Sequence, residues 1–221
     1  MDVVFVCRGG ENEELRYALR SLKNVPHDNV YLFGSAPDWY TGNLIESEQT
    51  GNKYFNVHYA MQKIPFSPVS DDFILWNDDF FCMKPTTMQY HHRGPVDDVI
   101  DWYVKRYHTS AYIRGMQKTR RWLADLKIEN PLSYELHIPM VFNKDKFAQA
   151  LKLAEGHVSI QMRSFYGNMF GVGGEYMDDV KIYSSKWKFT SDTWLSSEDK
   201  SFPYLYPLLD WTFRDKSEYE R

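Results

Sequence analysis

The chain has little cysteine, no strong excess of charge of either sign and no long apolar run. Only Cys7 and Cys82 occur among its 221 residues. Each lies in an apolar segment typical of a strand, so we expect buried free thiols rather than a disulfide. The net charge of −4, from 26 basic and 30 acidic residues, disfavours a protein that binds nucleic acid through its phosphates.

Features of membrane proteins and of disordered chains are absent as well. No stretch approaches the roughly 18 apolar residues of a membrane span, and the residues after Met1 lack the apolar run of a signal peptide. Internal repeats and low-complexity segments are also missing. Hydrophobic residues make up 43% of the chain and aromatic residues 17%, which is enough for a packed core. We therefore expect a cytoplasmic protein without a membrane span, folded as a single domain over residues 1–221.

Apolar runs alternate with segments of helical periodicity along the chain. The predicted elements are, in order, strand 2–7, helix 11–24, strand 30–33, helix 54–64, strand 73–76, a helical insertion around 96–130 and helix 147–153. A strand, a helix and a second strand in succession are typical of a βαβ unit with parallel strands. The pattern predicts an α/β fold with a mostly parallel sheet flanked by helices.

The sharpest local signal is Asn77-Asp78-Asp79, which interrupts an apolar run at the predicted carboxyl end of a strand. Two adjacent carboxylates at a buried position need a compensating cation. Mg²⁺ and Mn²⁺ prefer carboxylate oxygens and commonly retain waters and substrate phosphates as further ligands. The alternative is a solvated turn in which Asp78 or Asp79 caps the following segment.

A histidine lies in the apolar stretch Leu136-His137-Ile138-Pro139. A fixed imidazole in such a place is suited to act as a general base. The alternative is a histidine of the core whose hydrogen bonds are satisfied internally.

Four arginines are candidates for phosphate binding, because a guanidinium can chelate two phosphate oxygens. They are Arg8, Arg16, Arg20 and Arg163. Arg8 follows the first predicted strand, where ligands collect in α/β sheets, whereas Arg16 has the alternative of pairing with Glu13 or Glu14. The basic cluster at residues 118–121 has two interpretations: a solvated helix face, or a site for an acceptor that carries phosphate or for a nucleic acid.

Several motifs, in this order, resemble those of the Stealth family. They are ELRYALRSL at 14–22, FN at 55–56 followed by His58, LWNDDFF at 75–81, HIP at 137–139 and FRDKSEYE at 213–220. The family contains bacterial capsular-polysaccharide hexose-1-phosphate transferases and the animal N-acetylglucosamine-1-phosphotransferase that marks lysosomal enzymes. The resemblance extends from residue 2 to the end of the chain.

The resemblance implies a glycosyltransferase-A-like, Rossmann-like catalytic domain with a nucleotide-sugar site. It places Asp78 and Asp79 near a Mg²⁺ or Mn²⁺ ion and the pyrophosphate, with Asp199 as a further metal ligand. His137, Asp79 and Arg163 are implied as catalytic residues. Substrate-binding residues are expected at Arg8, Arg16, Arg20, Asn56, His58 and Asn77.

The activity implied by the resemblance is transfer of hexose-1-phosphate from a UDP-sugar or similar donor to an acceptor hydroxyl, with release of nucleoside monophosphate. One alternative is a glycosyltransferase that moves the sugar itself and releases nucleoside diphosphate. A second is a non-catalytic sugar- or nucleotide-binding module, because Met61 stands where the family often has glutamate and Arg8 stands near an expected acid. The acceptor is a glycan, a polymer or another hydroxyl-bearing macromolecule, and the acidic net charge disfavours nucleic acid.

Overall fold

The three predicted strands form a five-stranded sheet together with two strands that the sequence did not predict, at 43–46 and 140–143. The computed structural model describes residues 1–8, 10–186 and 188–221. In chain order the elements are β1 (Asp2–Cys7), α1 (Glu13–Ser21), β2 (Val30–Gly34), β3 (Asn43–Glu46), α2 (Lys53–Lys63), β4 (Asp72–Asn77), β5 (Phe80–Cys82), β6 (His91–His92), α3 (Val96–Tyr107), α4 (Ala111–Asp125), β7 (Met140–Asn143), α5 (Lys144–Leu153), α6 (Met162–Met169), β8 (Glu175–Tyr176), β9 (Trp194–Ser196) and α7 (Phe202–Thr212).

The chain divides into two units, which are described separately. Unit 1 comprises Met1–Met88, His137–Lys144 and Val180–Arg221, and unit 2 comprises Gln89–Leu136 and Asp145–Asp179. That residues 1–221 act as one catalytic domain stays a prediction.

The sheet of unit 1 has the strand order β3-β2-β1-β4-β7. The strands β3, β2, β1 and β4 run parallel, and β7 pairs antiparallel with β4 at the edge. Helices α1 and α2 connect successive parallel strands, as βαβ units require. The prediction of a mostly parallel α/β sheet flanked by helices is therefore confirmed.

The central strand β1 is buried because it has a neighbour on each side and is continuously apolar. Val3, Val4 and Phe5 have no exposed surface, as expected for a parallel strand covered on both faces. The α1 helix buries Leu15 and Leu19, one turn apart on one face. The predicted strand 2–7 and helix 11–24 are confirmed, although the last predicted turn, Leu22–Asn24, is a 3₁₀ turn.

The apolar run that resumes after Asp79 does not continue β4. It forms β5, which pairs antiparallel with β9 in a separate two-stranded sheet. The Trp76 indole Nε1 donates a hydrogen bond of 2.9 Å to the Phe80 carbonyl oxygen. This bond closes the turn that carries Asp78 and Asp79 away from the end of β4.

Unit 2 contains the predicted helical insertion. Helices α3 and α4 share an apolar cluster that includes Val99, Tyr103, Ile113 and Met116. The predicted helix 147–153 is α5, which begins three residues earlier. The sequence did not predict α6, and the short strands β6 and β8 pair in parallel within this unit.

Both cysteines are buried free thiols, as predicted. Among the described residues no helix combines the length and the apolar character that a membrane span requires.

Candidate active site

The candidate site lies where β1 and β4 end side by side. The strands are paired up to Val6 and Asn77, so the segments that follow them leave the sheet at the same edge. Ligands of open α/β sheets bind outside the carboxyl ends of the strands. Gly34, at the end of β2, has φ +127°, and a Cβ atom there would lie 2.1 Å from the Cys7 carbonyl oxygen. Glycine is therefore required for this close packing.

Asn12 connects the start of α1 to the aspartate turn. Its side-chain oxygen accepts a hydrogen bond of 3.3 Å from the Leu15 backbone N–H, which caps the helix. Its side-chain Nδ2 donates to Asp78 Oδ2 at 2.8 Å. Asn12 adopts a left-handed conformation with φ 40°, which asparagine tolerates better than most residues. One residue thus fixes both the helix start and the Asp78 carboxylate.

Asp79 is bound by residues that follow it in the chain, whereas the partner of Asp78, Asn12, precedes it. Its Oδ2 atom accepts a hydrogen bond of 2.9 Å from Lys181 Nζ and one of 3.5 Å from the Ser196 hydroxyl. Its Oδ1 atom is buried and has no hydrogen-bond partner among the described residues. A buried, unpartnered carboxylate oxygen is costly, so this atom is suited to contact a bound ligand.

Two more carboxylates approach the site from α1 and from the loop before α7. The Glu14 side chain is 9% exposed and lies 4.0 Å from Arg8 Nη2, and it accepts a hydrogen bond from the Ser197 hydroxyl. Arg8 Nη2 also contacts Asp199 Oδ1 at 3.0 Å. Arg8 is therefore shared between two acidic side chains.

The crowding of carboxylates shows in their pKa values. Burial, followed by the charge of Asp79, raises the pKa of Asp78 to about 6. Burial also raises the pKa of Glu14 to about 7, with further contributions from Asp79 and Asp78. Such shifts are typical of functional sites, where like charges are held together.

A cavity of about 210 Å³ opens at this place. Its lining residues are Arg8, Asn12, Glu13, Glu14, Asp199 and Phe202. The cavity combines a guanidinium, an amide and carboxylates, which suits a polar ligand that carries both charge and hydroxyl groups.

The aspartate pair fits a divalent cation that takes some of its ligands from the protein and the others from water and the substrate. The described residues contain no group of three histidine, cysteine or carboxylate side chains placed to hold a metal together. Mg²⁺ is often bound by only one or two carboxylates and completes its coordination with water and substrate phosphates. Asp78 and Asp79 can supply such a pair, and the unpartnered Oδ1 of Asp79 is available as a ligand atom. Asp199, the third predicted ligand, is paired with Arg8.

The two other predicted catalytic residues lie in different units. His137 belongs to unit 1, where its half-buried ring packs edge-on against Phe80, with 6.1 Å between ring centroids. Phe80 directly follows Asp79 in sequence. Arg163 lies in unit 2, buried at the start of α6. Their catalytic roles stay predictions.

Three of the predicted substrate-binding residues lie on or near α2 and β4. Asn56 and His58 are on α2, where Asn56 Oδ1 accepts a hydrogen bond of 2.7 Å from the Thr50 N–H and thereby holds the preceding loop. The His58 ring lies 2.9 Å from the Gln62 amide, and burial lowers the pKa of this histidine. Asn77 is the last residue of β4, next to the aspartate pair. None of the three lines the cavity, and substrate binding by them stays a prediction.

Internal partners contact the guanidiniums of both Arg16 and Arg20. Arg20 binds the Glu220 carboxylate through two hydrogen bonds of 2.8 and 2.7 Å and donates to the Phe213 carbonyl oxygen. Arg16 contacts Glu13 at 3.1 Å and Glu220 at 2.8 Å. The alternative pairing of Arg16 with Glu13 is thus observed, and donor binding by Arg16 and Arg20 stays a prediction.

Sequence reasoning missed three residues of the site: Asn12, Glu14 and Lys181. From the sequence, Glu14 is considered only as an alternative partner of Arg16. Lys181 lies in a stretch without periodicity, 102 residues from its partner Asp79. No local pattern indicates such a contact, because it depends on the path of the whole chain.

Comparison with known proteins shows the fold but not the family. Neither family models nor curated proteins give a match to this chain, so the Stealth resemblance stays a prediction. The solved structure of WbbM, a bifunctional glycosyltransferase, is similar with a TM-score of 0.55 and 12% sequence identity. The match covers 97% of this chain and 49% of WbbM. The chain thus has a glycosyltransferase-A-like fold and spans about half the length of that structure.

Two further solved structures are more distantly similar. The galactosyltransferase LgtC has a TM-score of 0.40 and 10% identity, over 83% of this chain and 76% of LgtC. The glycosyltransferase GlyE of Streptococcus pneumoniae TIGR4 has a TM-score of 0.39 and 12% identity, over 80% of this chain and 44% of GlyE. These two overlaps are too loose to carry an argument.

Proposed function

We propose that the chain is a nucleotide-sugar-dependent transferase that moves a sugar-1-phosphate from a UDP-sugar or similar donor to an acceptor hydroxyl. The observation that carries the proposal is the carboxylate cluster at the carboxyl ends of β1 and β4, beside a polar cavity of about 210 Å³. The cluster has more negative than positive side chains. Its four acidic residues are Glu14, Asp78, Asp79 and Asp199, and its two basic residues are Arg8 and Lys181. A donor diphosphate that arrives with a divalent cation would correct this imbalance.

Asp78 and Asp79 would hold Mg²⁺ or Mn²⁺. When bound, the cation supplies positive charge against the donor diphosphate. Asn12 and Lys181 orient the two carboxylates through the hydrogen bonds of 2.8 and 2.9 Å. Asp199 is a further candidate ligand once Arg8 turns to the donor phosphates, where its guanidinium can chelate two oxygens.

In the proposed reaction the acceptor oxygen forms a bond to the β-phosphorus of the donor. The bond between this phosphorus and the oxygen that bridges to the α-phosphorus breaks, and nucleoside monophosphate leaves. His137 takes the acceptor proton as general base. Arg163 is proposed to neutralise charge on the transferred phosphate, and this role is supported by the Stealth resemblance alone.

A second candidate is transfer of the sugar itself, with release of nucleoside diphosphate. The observation that favours it is the fold, because WbbM is described as a bifunctional glycosyltransferase. The donor, the cavity and the metal carboxylates would be the same in both reactions, and only the bond that breaks would differ.

A donor labelled with ³²P in its β-phosphate distinguishes these candidates. Transfer of sugar-1-phosphate puts the label on the acceptor and releases unlabelled UMP, which is the expected result. Label recovered in UDP would establish glycosyl transfer instead. If donor binding is measurable but neither product forms with any acceptor, the non-catalytic binding module is the correct function.

A further inference from the structure

The positive charge of the chain is concentrated in one part of unit 2. Residues 105–127 contain seven lysines and arginines and a single acidic residue, Asp125, whereas the whole chain has 26 basic and 30 acidic residues. This segment covers the end of α3 and all of α4. A local excess of this size in an acidic protein indicates a surface for an anionic partner.

Three of these side chains lie on one face of α4. Arg114, Lys118 and Arg121 are spaced by four and three residues, which places them in one row along the helix. We name this row the basic stripe. Arg114 and Arg121 are exposed and Lys118 is half-buried, while the opposite face of α4 buries Ile113 and Met116 in the cluster shared with α3.

The charges of the basic stripe are not balanced within the protein. Among the described residues no ion pair joins Arg114, Lys118 or Arg121 to a carboxylate, whereas the neighbouring Arg120 binds Asp97 at 2.9 Å. Within the described part of the chain, the Arg114 guanidinium donates a single hydrogen bond, to the Thr109 hydroxyl at 3.4 Å. Three side chains therefore retain the capacity to bind anions from solution.

The chemistry around the stripe selects among anionic partners. Its exposed neighbours on α4 are Ala111, Gln117, Ala124 and Asp125, so the face has no large apolar side chain to insert into a membrane. No aromatic ring of α4 is exposed for nucleic-acid bases to stack on, and the exposed rings nearest to it in sequence, Trp102 and Tyr107, lie on α3. What remains is recognition of phosphate groups along a flexible, hydrated chain.

We propose that the basic stripe binds a phosphodiester-linked polymer, which serves as the acceptor chain of the transferase. The role as acceptor rests on the proposed function, because transfer of sugar-1-phosphate leaves one negative charge at each linkage. Binding to the stripe would raise the concentration of acceptor ends around the same molecule.

The test measures binding of a fluorescein-labelled poly(glycerol phosphate) chain to the full-length protein by anisotropy over a range of salt concentrations. Replacing the stripe (Arg114→Gln, Lys118→Gln, Arg121→Gln) is expected to weaken binding about tenfold at low salt. Because each phosphate contact on a flexible strand contributes about 0.7 to the slope of log K against log salt concentration, the slope should fall by about 2. Circular dichroism establishes that the variant is folded.

A matched control removes three exposed lysines elsewhere (Lys152→Gln, Lys186→Gln, Lys188→Gln) and is expected to retain the wild-type slope. Equal weakening in the control, or unchanged binding in the stripe variant, would overturn the proposal. So would tighter binding of anionic phospholipid vesicles, single-stranded DNA or neutral dextran than of the polymer. No donor is present in these measurements, so their outcome is independent of whether the ³²P experiment supports the transferase.

Discussion

Two groups of charged side chains contact α1, and they differ in how their charges are balanced. In the first, two arginines of α1 enclose one carboxylate near the chain end, Glu220, whose side chain has no exposed surface. Burial alone would raise the pKa of Glu220, but the hydrogen bonds from Arg20, the Ser217 N–H and Arg16 bring it down to about 2. This group is complete without a ligand.

In the second group carboxylates outnumber cations. Asp78 and Glu14 have pKa values raised to about 6 and about 7, and Asp79 has an unpartnered buried oxygen among the described residues. Arg8 and Lys181 supply the only cationic contacts to this cluster within the part of the chain that the structure describes. The comparison indicates that the balanced group stabilises the fold, whereas the unbalanced group is built to bind a cation and its anionic ligand.

The largest effect is expected at the unbalanced group. Asp79→Asn should lower turnover by about 10²- to 10³-fold, because it removes a carboxylate that acts where charge develops. Turnover with saturating donor and Mn²⁺ measures the loss. Asp71→Asn is the matched control, since its carboxyl group is 95% exposed and outside the site. Comparable losses in both variants, or full activity of Asp79→Asn, would remove Asp79 from the mechanism.

At the balanced group the expected effect is on stability. Glu220→Ala should lower the free energy of unfolding by about 3 kcal/mol, because two half-buried guanidiniums lose the buried carboxylate that they share. Urea denaturation measures the change. Glu218→Ala, at an exposed neighbouring position, should change stability by no more than about 0.5 kcal/mol. If the two variants are equally stable, the contact between Glu220 and α1 does not hold the chain end in solution.

His137→Ala tests the proposed proton acceptor. Loss of a general base lowers turnover by at least about 10²-fold, which is measured as kcat with saturating donor and acceptor. His27→Ala, in which the replaced ring contacts the Val25 carbonyl oxygen far from the aspartates in sequence, serves as the control. A loss below about tenfold would mean that His137 has a structural role, in which its ring packs against Phe80.

The smallest effect concerns the pH dependence of stability. Glu14 binds a proton more tightly in the folded protein, with a pKa of about 7 against the ordinary 4.5, so stability contributed by this group is lost as pH rises from about 4.5 to 7. Asp78 acts in the same direction. Glu14→Gln should flatten this decline by roughly 2 kcal/mol in the absence of metal. Urea denaturation at several pH values measures this decline in stability. If the decline is as large in Glu14→Gln as in the wild type, the raised pKa of Glu14 is contradicted.

Features that depend on residues close together in the sequence were predicted correctly, whereas contacts between residues far apart in the sequence were not predicted. Strand β1, helix α1 and the helical insertion were predictable, because apolar periodicity reports which face of each element is buried. The turn at Asp78 and Asp79 was predictable because charged residues stand out in an apolar run. The contacts of Lys181 with Asp79 and of Glu220 with Arg20 were not, because each joins segments more than 100 residues apart.

The arginines of α1 show why motif and role differ. Arg16 and Arg20 occur in one motif and Glu220 in another, and the order of these motifs suggested a family resemblance. The structure gives a physical reason for their joint occurrence, since the three side chains form one ion cluster. The two motifs therefore share a contact in the folded chain.

Calorimetric titration with UDP tests most directly whether the unbalanced carboxylates hold a diphosphate together with a divalent cation. The account predicts that UDP binds in the presence of Mn²⁺, that EDTA abolishes binding, and that Asp79→Asn weakens it at least about tenfold. UDP binding that is equally strong with EDTA and in Asp79→Asn, or no UDP binding to the folded wild-type protein with Mn²⁺, would contradict it.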